Sequence, residues 1–195
     1  MTDMLEAEIW GITRAGDGGM VFLRVVDADL AVPIFIGHLE AQAILIGYGD
    51  VNVPRPLTPD LLINIIRRVG LVLVRVEINE IRDNTFFARL LLCSAETGPY
   101  TAEAPLVIDA RPSDALALAV RSKCPIYLAE EVVDEAGIPA ESIIENDTDA
   151  DELEIRCKSL QEKLKAAVAV EDYEKAAEIR DILKELDREM SRDKI

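Results

Sequence analysis

Three charged residues crowd one short stretch of this chain, Ile108-Asp109-Ala110-Arg111-Pro112-Ser113-Asp114. Leu106, Val107 and Ile108 form an apolar run that reads as a short buried strand. Pro112 falls where a first helical residue tolerates proline, and Ala115 to Val120 continue as a strong helix former. Asp109, Arg111 and Asp114 are therefore expected around a helix N-terminus, whose free N–H groups favour anions. Two carboxylates, a guanidinium and a helix end can together bind a metal ion and a phosphate. The plainer alternative is that Asp114 caps the helix and Arg111 pairs with Asp109.

The same device recurs upstream. Arg55-Pro56-Leu57-Thr58-Pro59-Asp60 opens a helix from Asp60 to Val69, with Thr58 as its N-cap and Gly70 beyond its end. A third helix start, Ile36-Gly37-His38-Leu39-Glu40-Ala41-Gln42-Ala43, follows an apolar strand from Val32 to Ile36. His38 is the only histidine. An imidazole is a natural general base near neutral pH, although a lone histidine at a helix start also serves as a cap or a surface residue.

The elements that must carry these residues are mostly strands. Leu5 to Ile12 and Met20 to Val26 flank Ala15-Gly16-Asp17-Gly18-Gly19, a hairpin loop, and Asp27-Ala28-Asp29 turns the chain into a third strand. Val72, Val74, Val76 and Ile78 alternate with Leu73, Arg75, Glu77 and Asn79, which places the second set toward a partly wet face. Arg82-Asp83-Asn84 is the next turn, before a strand from Thr85 to Leu92. Hairpin-linked strands with three or four helices predict an α+β domain with a largely antiparallel sheet. No GxGxxG or GxxxxGKS phosphate cradle occurs.

Lysine usage marks a boundary. Lys123 is the one lysine of the first 145 residues, whereas Lys158, Lys163, Lys165, Lys175, Lys184 and Lys194 crowd the end. The expected organisation is a domain over 1–145, an acidic linker over 146–152 and a helical hairpin over 153–190. In the tail, Leu153, Leu160, Leu164, Ala167 and Val168 form one helical stripe. Asp172 is able to cap a second helix, in which Tyr173, Ala176, Ala177, Ile179, Arg180, Leu183 and Leu186 keep helical spacing. A lone hairpin of this size buries little apolar area, so it should pair with another, its own copy or a partner's, in a four-helix bundle.

The chain has 195 residues, half of them hydrophobic, enough for one sizeable core and an appendage. No apolar run approaches the roughly 20 residues of a membrane helix, and Met1-Thr2-Asp3-Met4-Leu5-Glu6 lacks a basic signal region. Cys93, Cys124 and Cys157 show no CxxC spacing and read as reduced thiols of a cytoplasmic protein. The formal net charge of −16 opposes binding to long DNA unless a divalent ion bridges protein and phosphate.

The stretches Pro33 to Ala43, Arg55 to Leu61, Asn84 to Leu90, Ile108 to Ala119 and Pro125 to Gly137, taken in order, resemble the bifunctional nuclease (BFN) domain family. The string from Leu160 through Tyr173 to Asp181 resembles the UVR motif. That motif is named for the UvrB and UvrC repair proteins and is also found in Clp-type ATPases and activators of protein-arginine kinases. The first resemblance implies a nuclease acting on DNA and RNA, and the second a protein–protein module. The family pattern commonly has histidine after Thr58, where this chain has Pro59. If the family uses that imidazole, this protein relies on His38 or on a metal-bound water, or it is catalytically weak.

On this reading the catalytic residues are Asp109, Asp114, Arg111 and His38, with Arg55 and Thr58 holding the substrate. Glu40, Asp60, Asp109 and Asp114 would ligate Mg²⁺ or Mn²⁺, hard ions that suit oxygen-rich sites. Leu164, Val168, Tyr173, Ala177 and Arg180 would bind another UVR-containing protein or a second copy, making a homo-oligomer, with nucleic acid as substrate and no membrane partner. The competing reading is a non-catalytic adaptor that presents the hairpin to a DNA-repair or Clp-type proteolysis machine.

Overall fold

A computed structural model describes residues 3–96 and 104–143. The chain divides into two compact units, Met1–Ala140 and Glu141–Ile195. Leu164, Val168, Tyr173, Ala177 and Arg180 all lie outside the described residues.

The first unit is a mixed α+β domain built on an eight-stranded sheet, in the order β6-β5-β4-β7-β1-β2-β3-β8. The strands are β1 (Met4–Ala15), β2 (Gly18–Val25), β3 (Leu30–Gly37), β4 (Leu71–Arg82), β5 (Thr85–Ser94), β6 (Leu106–Ala110), β7 (Ile126–Ala129) and β8 (Ile138–Pro139). The helices are α1 (His38–Tyr48), α2 (Thr58–Arg68), α3 (Pro112–Ser122) and α4 (Glu130–Ala136). Every strand pairing is antiparallel except β4 with β7.

Turn chemistry fixes both long hairpins. Gly16 takes φ +58°, so β1 and β2 run on until Ala15 faces Gly18, a tighter loop than the five residues expected. Asp83 and Asn84 both adopt positive φ, the backbone of a type I′ turn, and Arg82 faces Thr85 across it.

The link from β6 to β7 passes over β5 and β4, and α3 packs on those two strands as a result. α1 and α2 then pack against α3 from either side, α1 also on β2 and β3, α2 on β4. α4 touches β3 and β4, which are separated in the sheet by β7, β1 and β2, so the sheet curls around it. Val21, Leu23, Val32, Ile34, Ile44, Val76, Ile78, Leu92, Leu116, Leu128 and Val132 are fully buried at the centre.

Two sequence expectations fail here for stateable reasons. Leu106, Val107 and Ile108 are about half exposed rather than buried, because β6 is an edge strand paired with β5 alone. Glu77, expected on a wet face, has no exposed surface: Arg75 approaches it at 2.7 Å and Arg89 binds its other oxygen. Arg75 also lies 5.4 Å from the centre of the Tyr127 ring. Both arginines reach solvent while neutralising the carboxylate between them, the arrangement that lets a charge be buried at tolerable cost.

Lysine usage and hydrophobic periodicity both switch near residue 148, so the core should end before it. A protein ending at Ile144 is expected to unfold cooperatively with a near-native far-UV circular dichroism spectrum. Aggregation of that shortened chain would place the boundary elsewhere.

Candidate functional site

Each of the three long helices carries a carboxylate at its third residue: Glu40 in α1, Asp60 in α2 and Asp114 in α3. The helix end favours a negative charge at that place. What separates the three is which arginine takes them.

Arg111 immediately precedes α3, and its guanidinium spans two helices. Nε and Nη2 donate to Asp114 at 2.8 and 3.1 Å, a bidentate grip, while Nη1 donates to Glu40 at 3.1 Å. The bond and charge of Asp114, then those of Glu40, raise the Arg111 pKa above its ordinary value. The side chain is nonetheless 66% exposed. Glu40 has room because residue 37 is glycine; a Cβ there would overlap Glu40 Oε2. Thus the starts of α1 and α3 do converge, and Arg111 pairs with Asp114 and Glu40 rather than with Asp109.

The start of α2 adds a wall but not its acid. Leu57, not Thr58, is the N-cap, because the Asp60 carboxylate reaches back to accept the Leu57 N–H at 2.8 Å. The helix accordingly begins at Thr58, ahead of the expected Asp60. The other Asp60 oxygen accepts Arg121 Nε at 2.5 Å. Arg121 also donates from Nη1 to the carbonyls of Ala43 and Ala117, both at 2.9 Å, so one side chain ties α1, α2 and α3 together. Gly47 leaves space for it: a Cβ there would lie 2.5 Å from Arg121 Nη1 and 2.7 Å from Val120 Cγ2.

A groove of about 510 Å³ results, floored by Ser113, Asp114, Ala117 and Leu118 of α3 and walled by α1 and the start of α2. A second cavity of about 320 Å³ is lined by Phe35, Gly37, Asn84, Thr85 and Phe86 among others. Glu40, Arg111 and Ser113 border both, so the ion cluster stands at their shared wall. The walls are thereby drawn from the stretches around residues 33–43, 55–61, 84–90 and 108–119.

Several expected site residues are elsewhere. Asp109 is exposed on β6, opposite Arg89, which in turn faces Glu77. Alternation along the strand turns it from the face on which Leu90 and Val76 meet the core. His38 begins α1 exposed to solvent and borders neither cavity, and Arg55 is exposed in the segment before α2. Thr58 does line the larger groove. The expected four-carboxylate metal set is therefore not assembled. Among the described residues, no group of three or more His, Cys, Asp or Glu side chains is placed to hold an ion. Glu40 and Asp114 are the pair that remains.

Sequence reasoning assigned no role to Ser113, Asn84, Thr85, Phe86 or Arg121. The Asn84-Thr85-Phe86 stretch was visible as part of a resemblance, yet its spacing carries no chemical signal. Arg121, at a helix C-terminus, reads as an ordinary partner of the dipole. Cys93 and Cys124 are free thiols, and burial pushes Cys124 up to about 11, which keeps it protonated and unreactive near neutral pH.

A sequence profile described as the bifunctional nuclease domain matches residues 21–141, and one described as the UvrB/uvrC motif matches residues 154–190. An uncharacterized protein of Mycobacterium tuberculosis is 38% identical over 125 residues, covering 63% of this chain and 70% of the relative. Bifunctional nuclease 1 of Oryza sativa subsp. japonica is 27% identical over 134 residues, covering 65% of this chain and 39% of the plant protein. Bifunctional nuclease 2 of the same plant is 27% identical over 119 residues, covering 60% and 35%. No helix among the described residues is long and apolar enough to cross a membrane.

Proposed function

The chain belongs to the bifunctional nuclease domain family, and from that premise we propose that it hydrolyses phosphodiester bonds of DNA, RNA or both at the Glu40–Arg111–Asp114 cluster. The observation that carries this reading is the position of that cluster. An exposed guanidinium, oriented by two carboxylates, stands where two cavities meet. Phosphoryl chemistry needs a donor fixed where negative charge develops, and a planar arginine fork supplies one.

The roles follow from the contacts. Arg111 receives the scissile phosphate on the solvent side of its guanidinium while Asp114 holds the fork in place. Glu40 borders both cavities and is placed to take a proton from an attacking water. Thr58 and Ser113, which line the larger groove, offer hydroxyl groups to the substrate backbone.

Charge supports a divalent ion. Two carboxylates against one guanidinium leave a single negative charge, and a phosphodiester adds another. Glu40 and Asp114 suit Mg²⁺ or Mn²⁺ shared with substrate oxygens, since Mg²⁺ is commonly held by one or two carboxylates plus phosphate. When bound, such an ion would neutralise the phosphate and ease ionisation of a water. The same ion would bridge protein and phosphate locally in a chain whose formal charge is −16.

The motif at 154–190 is proposed to dock this nuclease on a second UVR hairpin, through Leu164, Val168, Tyr173, Ala177 and Arg180. The test of activity uses the full chain with single-stranded DNA and RNA, in Mg²⁺ or Mn²⁺ and in chelator. Cleavage that chelator abolishes is the expected result. Chelator-insensitive cleavage would remove the ion from this account. Absence of cleavage with both nucleic acids and both ions would overturn the nuclease and leave the adaptor.

A further inference from the structure

Phe35 is the most exposed aromatic side chain among the described residues, at 71%. Its backbone is fixed on both sides. Ile34 is buried, Ile36 packs on the core, and Phe35 itself faces Met20 in the β2–β3 pairing. Phe35 lines the smaller cavity together with Phe86, which rests partly buried against the core. Asn84, at the tip of the β4–β5 hairpin, lines it as well. Asn84 fills the second central place of its type I′ turn at φ +57°, where glycine would sit without strain. Asparagine tolerates that backbone and adds an exposed amide.

We propose that this cavity receives one unpaired nucleobase, stacked on Phe35 with its edge against the Asn84 amide. The protein then acts on single strands in preference to duplex. The proposal rests on the reading that Arg111 takes a substrate phosphate, because Arg111 stands on the wall of the same cavity.

The lining selects the occupant. Among the described residues, Glu40 and Arg111 are the only charged ones that border the cavity, and they bond to each other. A second phosphate finds no further cation there, whereas a flat neutral ring finds an aromatic face and an amide. A volume of about 320 Å³ lies at the lower end of small-molecule sites, roughly 300–1,000 Å³. That is room for a nucleoside and not for paired strands. An aromatic ring stacks on any base, and an amide reads the edge that pairing hides. In a duplex both are occupied, and extruding a base costs part of what stacking returns. Charge favours the same occupant. Phosphate contacts alone hold a strand poorly on a chain of formal charge −16, and stacking carries no charge.

The test uses the full chain carrying Asp114→Asn, which should bind without cleaving, and fluorescence anisotropy of short labelled strands. The probes are a single DNA strand, the same strand in duplex, and an abasic strand of equal length. The single strand should bind at least about fivefold tighter than either of the others, the scale of one base–aromatic stack. Phe35→Ala should erase that advantage and Phe35→Trp should keep it. Asn84→Gly should lower single-strand affinity while the melting temperature holds or rises, since glycine suits the turn. Equal binding of the three probes, or a Phe35→Ala protein that keeps the advantage, would overturn the proposal. So would a Phe35→Ala protein that unfolds, or one that changes only its mass in light scattering, as a contact between proteins requires. Wild-type protein that shows this binding pattern without cleavage would overturn the nuclease reading and leave the base pocket standing. Cleavage that Phe35→Ala leaves unchanged on single strand and duplex alike would do the reverse.

Discussion

Arg111→Ala is expected to lower the cleavage rate by at least about a hundredfold, the effect of removing one fixed donor to developing negative charge. The fold should survive, because the side chain is 66% exposed and its ion pairs with Asp114 and Glu40 are solvent-screened. Such pairs contribute about 0–1 kcal/mol to stability. Loss of rate with an unchanged melting temperature is therefore the signature of a site, whereas a structural ion pair would move neither by much. Arg111→Lys keeps the charge but loses the two-pronged grip on Asp114, so an intermediate rate is expected. Asp114→Asn should abolish turnover, because the neutral amide neither shares a divalent ion well nor holds the guanidinium by charge. Steady-state cleavage alongside thermal melts distinguishes these outcomes.

Arg121→Ala should destabilise the domain by about 3 kcal/mol, or a fall of about 10 °C in melting temperature. Its side chain is 8% exposed and holds Asp60 of α2 and the carbonyl of Ala43 in α1, besides Ala117 in its own helix. Removing it leaves Asp60 with the Leu57 N–H alone, takes a second donor from the Ala43 and Ala117 carbonyls and opens a gap beside Gly47. Arg121→Lys should recover part of the loss, since one ammonium cannot serve all three acceptors. Cleavage should fall with α2, whose first turn walls the groove. Urea titration of both variants measures the effect, and a shift of less than about 1 kcal/mol would show that the clamp is incidental.

The sequence made the helix starts legible because a start is a local event. Pro112 opens α3 where proline spacing placed it, and Glu40 and Asp114 both lie in first turns. Convergence is a tertiary matter, and there the reading failed in instructive ways. Asp109 and Asp114 look equivalent five residues apart, yet one lies on a strand and faces away while the other lies on a helix and faces Arg111. Thr58 has the side chain of a cap, but the helix begins a residue earlier than a Thr58 cap requires, with Asp60 as its third residue accepting the Leu57 N–H. Apolarity in Leu106-Val107-Ile108 suggested burial, but a strand at a sheet edge keeps its composition and loses its cover. Glu77 shows the reverse, a charged residue enclosed by Arg75, two residues along its own strand, and by Arg89 across the hairpin, a cross-strand pairing that local alternation does not announce. The tail's stripe remains a reading of periodicity alone.

Where the nucleic acid lies tests the account most directly. The Asp114→Asn protein should still bind a short single strand, because removing a carboxylate lessens repulsion of phosphate while Arg111 keeps its charge and its bond to Glu40. Photo-crosslinking that strand through 5-iodouracil and mapping the peptides by mass spectrometry locates it. Crosslinks are expected at Phe35 and Phe86 and in the Leu57–Leu62 segment, around the two cavities that meet at Arg111. Crosslinks confined to the ion row of β4 and β5 or to residues 154–190, or none from a protein whose wild type cleaves, would contradict it.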